Sequence, residues 1–406
     1  MVPRLRFPEF RDESGWESET LGKNFANRQE KGFSELPLLS VTDERGVIPQ
    51  GETNRKDNSN RDKSKYLRVV PGDIAYNTMR MWEGRSAYVD REGLVSPAYT
   101  VCQPQNGVHG KFFSYYFKTS LLIEQFRRYS QGLVKDTLNL KYDSFACISV
   151  PSPLLAEQQK IVDCLESLDG VIASEGRKLG ILRDHKRGLM QQLFPQPGQT
   201  QPRLRFPEFE GKGEWVEKPL GRLSTIIRGG SPRPIEKYLT KDPSGLNWLK
   251  IGDVEKDAKY ILSTEEKVIP EALSKTREVS PGDFILSNSM SFGRPYLLKT
   301  RTCIHDGWIA ITKIKDVIHH EFLYYAIMSL RSQVFFEDQA AGGGVRNLNK
   351  EIIKSLPVGY PLITEQQRIA DCLTALDTQV IAQAAKIDAL KQHRRGLMQQ
   401  LFPTAE

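Results

Sequence analysis

The sequence predicts a mixed α/β protein made of two similar halves, each with a globular α/β domain followed by a long helix. Three observations predict this: an internal repeat along the chain, a heptad pattern closing each half, and short apolar runs between turn residues elsewhere. The expected boundaries are a first globular domain at 1–153, a first long helix at 154–195, a linker and second globular domain at 196–361, and a second long helix at 362–403.

The repeat is visible in short motifs that return in the same order. Arg-Leu-Arg-Phe-Pro-Glu-Phe at 4–10 returns at 203–209, and Pro-Gly-Asp at 71–73 returns at 281–283. We align Tyr115-Tyr116 with Tyr324-Tyr325. The longest match places 157–195 on 365–403 without a gap, with roughly half of the positions identical. Because the blocks before these segments diverge, we expect the helices to do one job twice and the blocks to do different jobs.

The two similar segments have the alternating three and four spacing of a coiled-coil seam. The predicted seam residues are Ile161, Leu165, Leu168, Ile172, Leu179 and Leu182 in the first helix, and Ile369, Leu373, Leu376, Val380, Ile387 and Leu390 in the second. Lys186 and Arg394 interrupt the seams at matching positions. We expect the helices to pack on each other as an antiparallel coiled coil in a pseudo-two-fold molecule; the alternative is that each packs only on its own domain.

Composition narrows the class of protein. The 406 residues are 39% hydrophobic and 26% charged, which is typical of a globular chain with more than one domain. No run of 18 apolar residues and no secretory leader is present, so we expect a cytoplasmic protein that does not enter a membrane. The five cysteines are dispersed without C-x-x-C spacing, so neither a disulfide framework nor a metal site is predicted, and no cofactor is expected.

The net charge of +7 lies in the divergent blocks. Residues 1–153 carry a net charge of +3 and residues 196–361 carry +4, whereas the helical segments carry 0 and +1. A basic excess in these blocks is what contacts to a phosphate backbone require. The blocks are therefore the expected polyanion-binding parts of the chain.

Taken together, the paired motifs resemble the specificity subunits of type I restriction-modification systems. The resemblance rests on the R-L-R-F-P-E-F openings, the P-G-D stretches, Gly229-Gly230-Ser231-Pro232, and the helices that begin E-Q-Q and end G-L-M-Q-Q-L-F-P. It implies that each divergent block reads half of a bipartite site in double-stranded DNA. It also implies that the helices form a spacer that docks two methyltransferase (modification) subunits, with restriction/translocase subunits joining afterwards.

No catalytic residue is predicted. The chain has no G-x-x-x-x-G-K-[ST] loop for ATP and no N-P-P-[FY] or D-P-P-[YW] tetrapeptide of an amino-methyltransferase. The acids of the two P-G-D motifs are expected to form turns. Two other functions remain open: a stand-alone DNA nuclease or modifying enzyme, and a scaffold that binds only proteins.

We predict DNA contacts from basic, amide and hydroxyl side chains beside glycine-containing turns. The candidates are Arg80, Arg85, Lys135, Asn139, Arg228, Ser231, Arg233, Arg294, Arg346 and Asn347. For Gly84-Arg85 and Gly293-Arg294 the alternative is a turn glycine beside a solvated arginine. For the loop at 229–233 we expect backbone amides and a cation near phosphate, and the alternative is a plain connection.

Overall fold

The computed structural model describes residues 2–42, 45–53, 59–60, 62–255, 258–287, 293–340 and 348–404. The chain forms two compact units. Unit 1 combines Met1–Arg177 with Ala385–Glu406, and unit 2 is Lys178–Ala384. Each unit therefore contains a globular part, the first portion of one long helix and the last portion of the other.

In unit 1 the strands are short and mostly antiparallel. They are β1 (Glu17–Thr20), β2 (Phe25–Asn27), β3 (Leu39–Thr42), β4 (Gly46–Pro49), β5 (Leu67–Val69), β6 (Ile74–Asn77), β7 (Ser86–Tyr88), β8 (Gly93–Val95), β9 (Tyr99–Pro104) and β10 (Ser149–Ser152). The central sheet has the order β2-β9-β6-β7, and three two-stranded sheets pair β1 with β10, β3 with β4 and β5 with β8.

The helices of unit 1 cover one side of a core rich in aromatic rings. They are α1 (Leu21–Asn24), α2 (Gly110–Tyr116), α3 (Ser120–Tyr129), α4 (Tyr142–Ala146) and the first portion of α5 (Leu155–Leu193). Phe25, Phe113, Phe117 and Phe145 are fully buried in this core. Burial of so much apolar area provides the main driving force for folding of the unit.

Among the described residues, unit 2 has twelve strands, ten in two five-stranded sheets and two in a separate pair. They are β11 (Val216–Pro219), β12 (Thr225–Arg228), β13 (Leu239–Thr240), β14 (Leu246–Leu249), β15 (Tyr260–Ile261), β16 (Glu266–Val268), β17 (Arg277–Val279), β18 (Phe284–Ser287), β19 (Pro295–Leu298), β20 (Thr302–Ile304), β21 (Trp308–Thr312) and β22 (Pro357–Tyr360). Its helices are α6 (Leu220–Leu223), α7 (His320–Met328), α8 (Leu330–Ala340), α9 (Lys350–Ser355), the first portion of α10 (Ile363–Leu401) and the last portion of α5.

The two units share a topology that the divergent sequences hide. The sheet β12-β21-β18-β19 of unit 2 repeats the order β2-β9-β6-β7 of unit 1, with β15 added at its edge. The pair β11 and β22 likewise repeats β1 and β10. The mixed α/β fold with two long helices is therefore confirmed, and the second sheet of unit 2, β13-β16-β14-β20-β17, is the main structural difference between the halves.

The predicted seam is protected from solvent, and ion pairs fix the direction of the helices within each unit. None of the twelve seam residues is exposed. In unit 1 the Arg394 guanidinium donates to Asp169, and Lys386 Nζ lies 2.5 Å from Glu175 Oε1. In unit 2 the Lys186 ammonium donates to Asp377. In unit 1 residue numbers rise along one helix as they fall along the other, so the segments run antiparallel, and the pair of unit 2 occupies the equivalent positions, Lys186 for Arg394 and Asp377 for Asp169.

A one-residue correction to the repeat follows from these aspartates. Asp169 accepts a hydrogen bond from the Tyr115 hydroxyl at 3.0 Å, and the equivalent Asp377 accepts one from Tyr325 at 2.5 Å. Tyr115 therefore corresponds to Tyr325, and the pairing of Tyr115-Tyr116 with Tyr324-Tyr325 is wrong by one position. Because each half has two adjacent tyrosines, matching identical letters favoured a register that is wrong by one residue.

The repeated E-Q-Q motif joins each long helix to its globular part. Glu157 accepts two hydrogen bonds from Arg6, at 2.9 and 2.8 Å, and Glu365 accepts two from Arg205, at 2.9 and 2.5 Å. The next residue, Gln158, accepts a hydrogen bond from the His109 amide at 2.9 Å. Gln366 does the same for His319, so the motif repeats because the junction repeats.

Candidate nucleic-acid interface

Three arginines in unit 1 line one open pocket of about 300 Å³. Arg80 and Arg85 lie on either side of the short turn between β6 and β7, and Arg45 lies in the turn between β3 and β4. Asn77, at the end of β6, lines the same pocket. Arg80 and Arg85 were predicted as DNA contacts. The fold brings them together with Arg45, which lies 35 positions before Arg80 in the chain.

Local backbone geometry explains how the arginines are held. Gly84 adopts a φ of +79°, which strongly favours glycine, and it ends the single turn Met81–Glu83. The chain then reverses, and the Asn77 amide donates to the Arg85 carbonyl at 3.2 Å. The turn thereby places both arginines at the end of a buried strand pair. Gly293, which precedes Arg294 in unit 2, also has a positive φ, +71°.

Carboxylates orient these guanidinium groups without neutralising all of them. Glu83 accepts from Arg80 at 3.3 Å and from Arg85 at 3.1 Å, and Glu52 accepts from Arg45 at 3.2 Å. The three arginine side chains remain 45–56% exposed. Three guanidinium groups facing two carboxylates leave a net positive, partly ordered surface, which can exchange these weak surface ion pairs for phosphate or base contacts.

Another short loop of unit 1 carries Lys135 and Asn139. The amide of Gln131 donates to the carbonyl of Asn139 at 2.9 Å, and the reverse bond is 2.8 Å, so the loop is closed at its base. Lys135 is exposed near the tip. The Asn139 side-chain oxygen is buried and accepts no hydrogen bond from the described part of the chain. Asn139 therefore belongs to the buried base of the loop and not to its exposed tip.

In unit 2, Arg228, Ser231 and Arg233 gather around Asp306. The Ser231 hydroxyl donates to Asp306 Oδ1 at 2.8 Å, Arg233 lies 3.5 Å from Oδ2, and Arg228 Nε donates to the Asp306 carbonyl at 3.1 Å. The hydrogen bond from Ser231 is the main cause that lowers the pKa of Asp306 below its ordinary value. Both arginines are exposed, so the cluster presents two cations on one ordered loop.

The two glycines of this loop have a structural role that differs from the expected one. The Gly229 amide donates to the Trp308 carbonyl at 2.9 Å and the Gly230 amide donates to the Ile304 carbonyl at 3.1 Å. A Cβ at position 229 would overlap the His305 carbonyl oxygen. The expectation that these amides face phosphate is therefore wrong, because both are used to hold the loop against the neighbouring strands.

The remaining candidates are less accessible or lie elsewhere. Arg294 is half-buried, donates to the Ala258 carbonyl at 3.4 Å, and lies 6.0 Å from the Tyr296 ring centre. Arg346 and Asn347 lie outside the described residues. Sequence reasoning missed Arg45 and Asn77, because only the folded sheets bring them to the pocket. The one signal that the sequence offered for Arg45 was an arginine within a polar turn.

The aspartates of the two P-G-D motifs are structural. Asp73 Oδ2 accepts from the Val70 amide at 3.0 Å and from Arg28 at 2.9 Å, and burial raises the pKa of Asp73. Asp283 accepts from the Ser280 amide at 2.9 Å in the same type of turn. Among the described residues, no group of three or more His, Cys, Asp or Glu side chains is placed to hold a metal ion.

All five cysteines are free thiols, and no described helix is both long enough and apolar enough to cross a lipid bilayer.

Comparison with known proteins gives one consistent result. The family described as the type I restriction modification DNA specificity domain matches residues 36–181 and 212–392. The chain is 22% identical over 373 residues to a protein of Methanocaldococcus jannaschii named as a type I restriction enzyme specificity subunit, covering 86% of this chain and 81% of the relative.

Solved structures with the same fold include two that span almost the whole chain. One comes from work on complex assembly and conformational transition of the type I R-M system; it has a TM-score of 0.61 and 18% identity, covering 98% of this chain and 99% of the other. The other is the type I restriction-modification S subunit from M. genitalium, with a TM-score of 0.56, 15% identity and full coverage of both chains. At these identities the likeness concerns the fold.

Proposed function

The chain belongs to the type I restriction modification DNA specificity family, and from that premise we propose that it reads a bipartite site in double-stranded DNA, one half with each unit. It acts as the non-catalytic specificity subunit, and the partner subunits carry out the chemistry. The observation that carries the proposal is the pocket of unit 1, where Arg45, Arg80 and Arg85 converge in the part of the chain where the halves diverge.

The two units have one framework and different basic surfaces. Unit 1 offers the arginine pocket, and unit 2 offers Arg228 and Arg233 around Asp306. A shared sheet order with different exposed side chains is what two readers of different half-sites require. Arginine is suited to both tasks, because its planar guanidinium binds phosphate or the O6 and N7 atoms of guanine with two hydrogen bonds.

The long helices are the proposed docking surface for two modification subunits, with restriction subunits binding the resulting complex. Large apolar side chains stand exposed off the seam: Val171 is 43% exposed, Ile181 69% and Ile381 68%. The helical segments are close to neutral, so this surface suits a protein partner better than DNA. Roughly half of the positions of the two helices are identical, which suits two copies of one partner, whereas these three exposed side chains are not repeated, since the equivalent residues are Gln379, Ala389 and Ala173.

The test removes charge from one unit at a time in the assembled complex. We expect Arg80→Gln with Arg85→Gln to relax the sequence preference in one half-site only, by roughly tenfold or more for each guanine that no longer faces an arginine. Arg228→Gln with Arg233→Gln should relax only the other half. Binding is measured by fluorescence anisotropy on duplexes with every base of each half-site substituted in turn.

Matched controls come from exposed arginines with a carboxylate partner outside these sites. Arg91, paired with Asp90, serves unit 1, and Arg301, paired with Glu278, serves unit 2. Their replacement by glutamine should leave sequence preference unchanged. Equal loss of preference in both halves from either double variant would contradict the proposal, as would turnover of DNA by the chain without its partners.

A further inference from the structure

The loop Gln131–Asn139 of unit 1 presents an apolar tip. Leu133 is fully exposed, at 101% of its reference area, and Val134 is 61% exposed. Single exposed leucines are common on protein surfaces. This one differs in two respects, which are the hydrogen bonds that order its loop and the attachment of that loop to the segment that carries Arg80.

The loop is built to hold its tip outward. Besides the two hydrogen bonds at its base, the Val134 amide donates to Thr137 Oγ1 at 3.2 Å, and the Thr137 amide donates to the Val134 carbonyl at 2.9 Å. Gly132 has a φ of +141°, and a Cβ there would approach the Thr137 carbonyl to 2.5 Å. The hydrogen-bonded backbone therefore holds Leu133 in solvent. There its side chain buries no apolar area and adds nothing to the stability of the unit.

The base of the loop is attached to the segment that carries the arginines. The Leu140 amide donates to the Thr78 carbonyl at 2.8 Å, between Asn77 and Arg80 of the pocket. Lys135, two residues beyond Leu133, is exposed and adds a cation to the same loop. The loop therefore combines an apolar tip and an exposed cation with a base that is fixed to the arginine-bearing segment, an arrangement typical of side chains that enter a DNA groove.

We propose that Leu133 enters a groove of the target duplex and makes apolar contact with the edges of the bases. This inference rests on the proposed function and adds a reading mode to it. The arginines and Lys135 contact phosphate or guanine, while Leu133 senses the thymine methyl group or the ease with which a base step opens. The residue is therefore a determinant of specificity in this half-site.

Salt dependence separates the two types of contact. An apolar contact releases no counterions, whereas each cation removed from a phosphate lowers the slope of log Kd against log salt by about 0.9. We expect Leu133→Ala to weaken binding of the cognate duplex about tenfold with an unchanged slope. Lys135→Ala should lower the slope by about one. Leu133→Met should keep most of the wild-type affinity.

The measurement uses the complex of the full chain with its modification subunits, with assembly checked by gel filtration. Leu262→Ala, at a 72% exposed leucine in the globular part of unit 2, is the control and should bind normally. Leu133→Ala affinity within twofold of wild type would overturn the inference, as would a defect confined to assembly, which would make the tip a protein contact. If the arginine variants still relax one half-site in either case, the proposed function stands without it.

Discussion

Replacing Arg6 by methionine tests whether the repeated opening sequence stabilises its unit through the long helix. Arg6 lies 151 residues from Glu157, and its side chain is 8% exposed while that of Glu157 is 2% exposed. Methionine keeps most of the aliphatic contact and removes both hydrogen bonds to Glu157, together with those to the Glu13 and Ser14 carbonyls. The carboxylate is then left buried, with the Trp16 indole at 3.3 Å as its remaining donor in the described contacts.

The expected cost follows from the burial of Glu157. Removing one partner of a buried ion pair costs about 3–5 kcal/mol, and the retained indole donor favours the lower figure of about 3 kcal/mol. In a unit of this size each kcal/mol corresponds to roughly 2–4 °C, so the Tm of unit 1 should fall by roughly 6–12 °C. Arg205→Met should cost unit 2 more than this lower figure, since the Glu365 side chain is 1% exposed and the Trp215 indole donates no hydrogen bond in the described part of the chain.

The assay is calorimetry of the purified chain, with urea unfolding as a second measurement. Lys160→Met, which breaks the exposed pair with Glu9 next to the same segment, is the control and should leave the Tm unchanged. The double variant Arg6→Met with Glu157→Leu should recover most of the loss, because no uncompensated charge remains. A loss below about 1 kcal/mol for Arg6→Met alone would refute the reasoning.

Three further predictions concern pH, packing and spacing. Burial lowers the pKa of His319, whose Nδ1 accepts a hydrogen bond from the Phe322 amide. The stability that neutral His319 gives to unit 2 is complete above the unfolded pKa of about 6.5 and is lost as pH falls through the folded pKa. His319→Asn, which keeps a helix cap, should therefore reduce the fall in Tm between about pH 7 and 5. Gly229→Ala should destabilise unit 2 by about 1–3 kcal/mol in urea unfolding, whereas Gly252→Ala, with nothing within 4 Å of the added Cβ, should show no steric effect. Deleting whole heptads from both helices should shorten the unread gap of the target by selection and sequencing of bound duplexes while each half-site stays the same; an altered half-site would contradict the spacer role.

The features that sequence predicted well are periodic or local. The seam from Ile161 to Leu182 follows from apolar spacing alone, because a helix repeats its faces every three or four residues. Turns such as Gly84 and Gly282 follow from the need for positive φ. The mixed α/β class likewise follows from short apolar runs between turns, without knowledge of strand order.

The features that sequence could not give depend on contacts between distant segments. Arg45 reaches the pocket of Arg80 and Arg85 only because β3, β4, β6 and β7 pack in one unit. The roles of the Gly229 and Gly230 amides depend on partners about 75 residues away, at Trp308 and Ile304. Sequence shows that a residue can donate a hydrogen bond, and only the fold shows whether the donor is already used.

The one-residue error in the tyrosine register has the same origin. Identity of letters favoured Tyr115-Tyr116 with Tyr324-Tyr325, whereas the hydrogen bonds to Asp169 and Asp377 pair Tyr115 with Tyr325. A shift of one position turns a side chain by about 100° around a helix. The letter-based alignment therefore did not pair the two tyrosines that donate to the aspartates. Equivalent contacts are therefore a better guide to the repeat than equivalent letters.

The most direct test of two independent readers is a genome-wide map of methylated bases in cells that carry the assembled system. The first divergent block, residues 14–153, is replaced by the corresponding block of another family member with a known target. The account predicts that one half of the methylated motif changes while the other half and the gap between them stay as they were. A motif that changes throughout, or a wild-type motif without an unread gap, would contradict it.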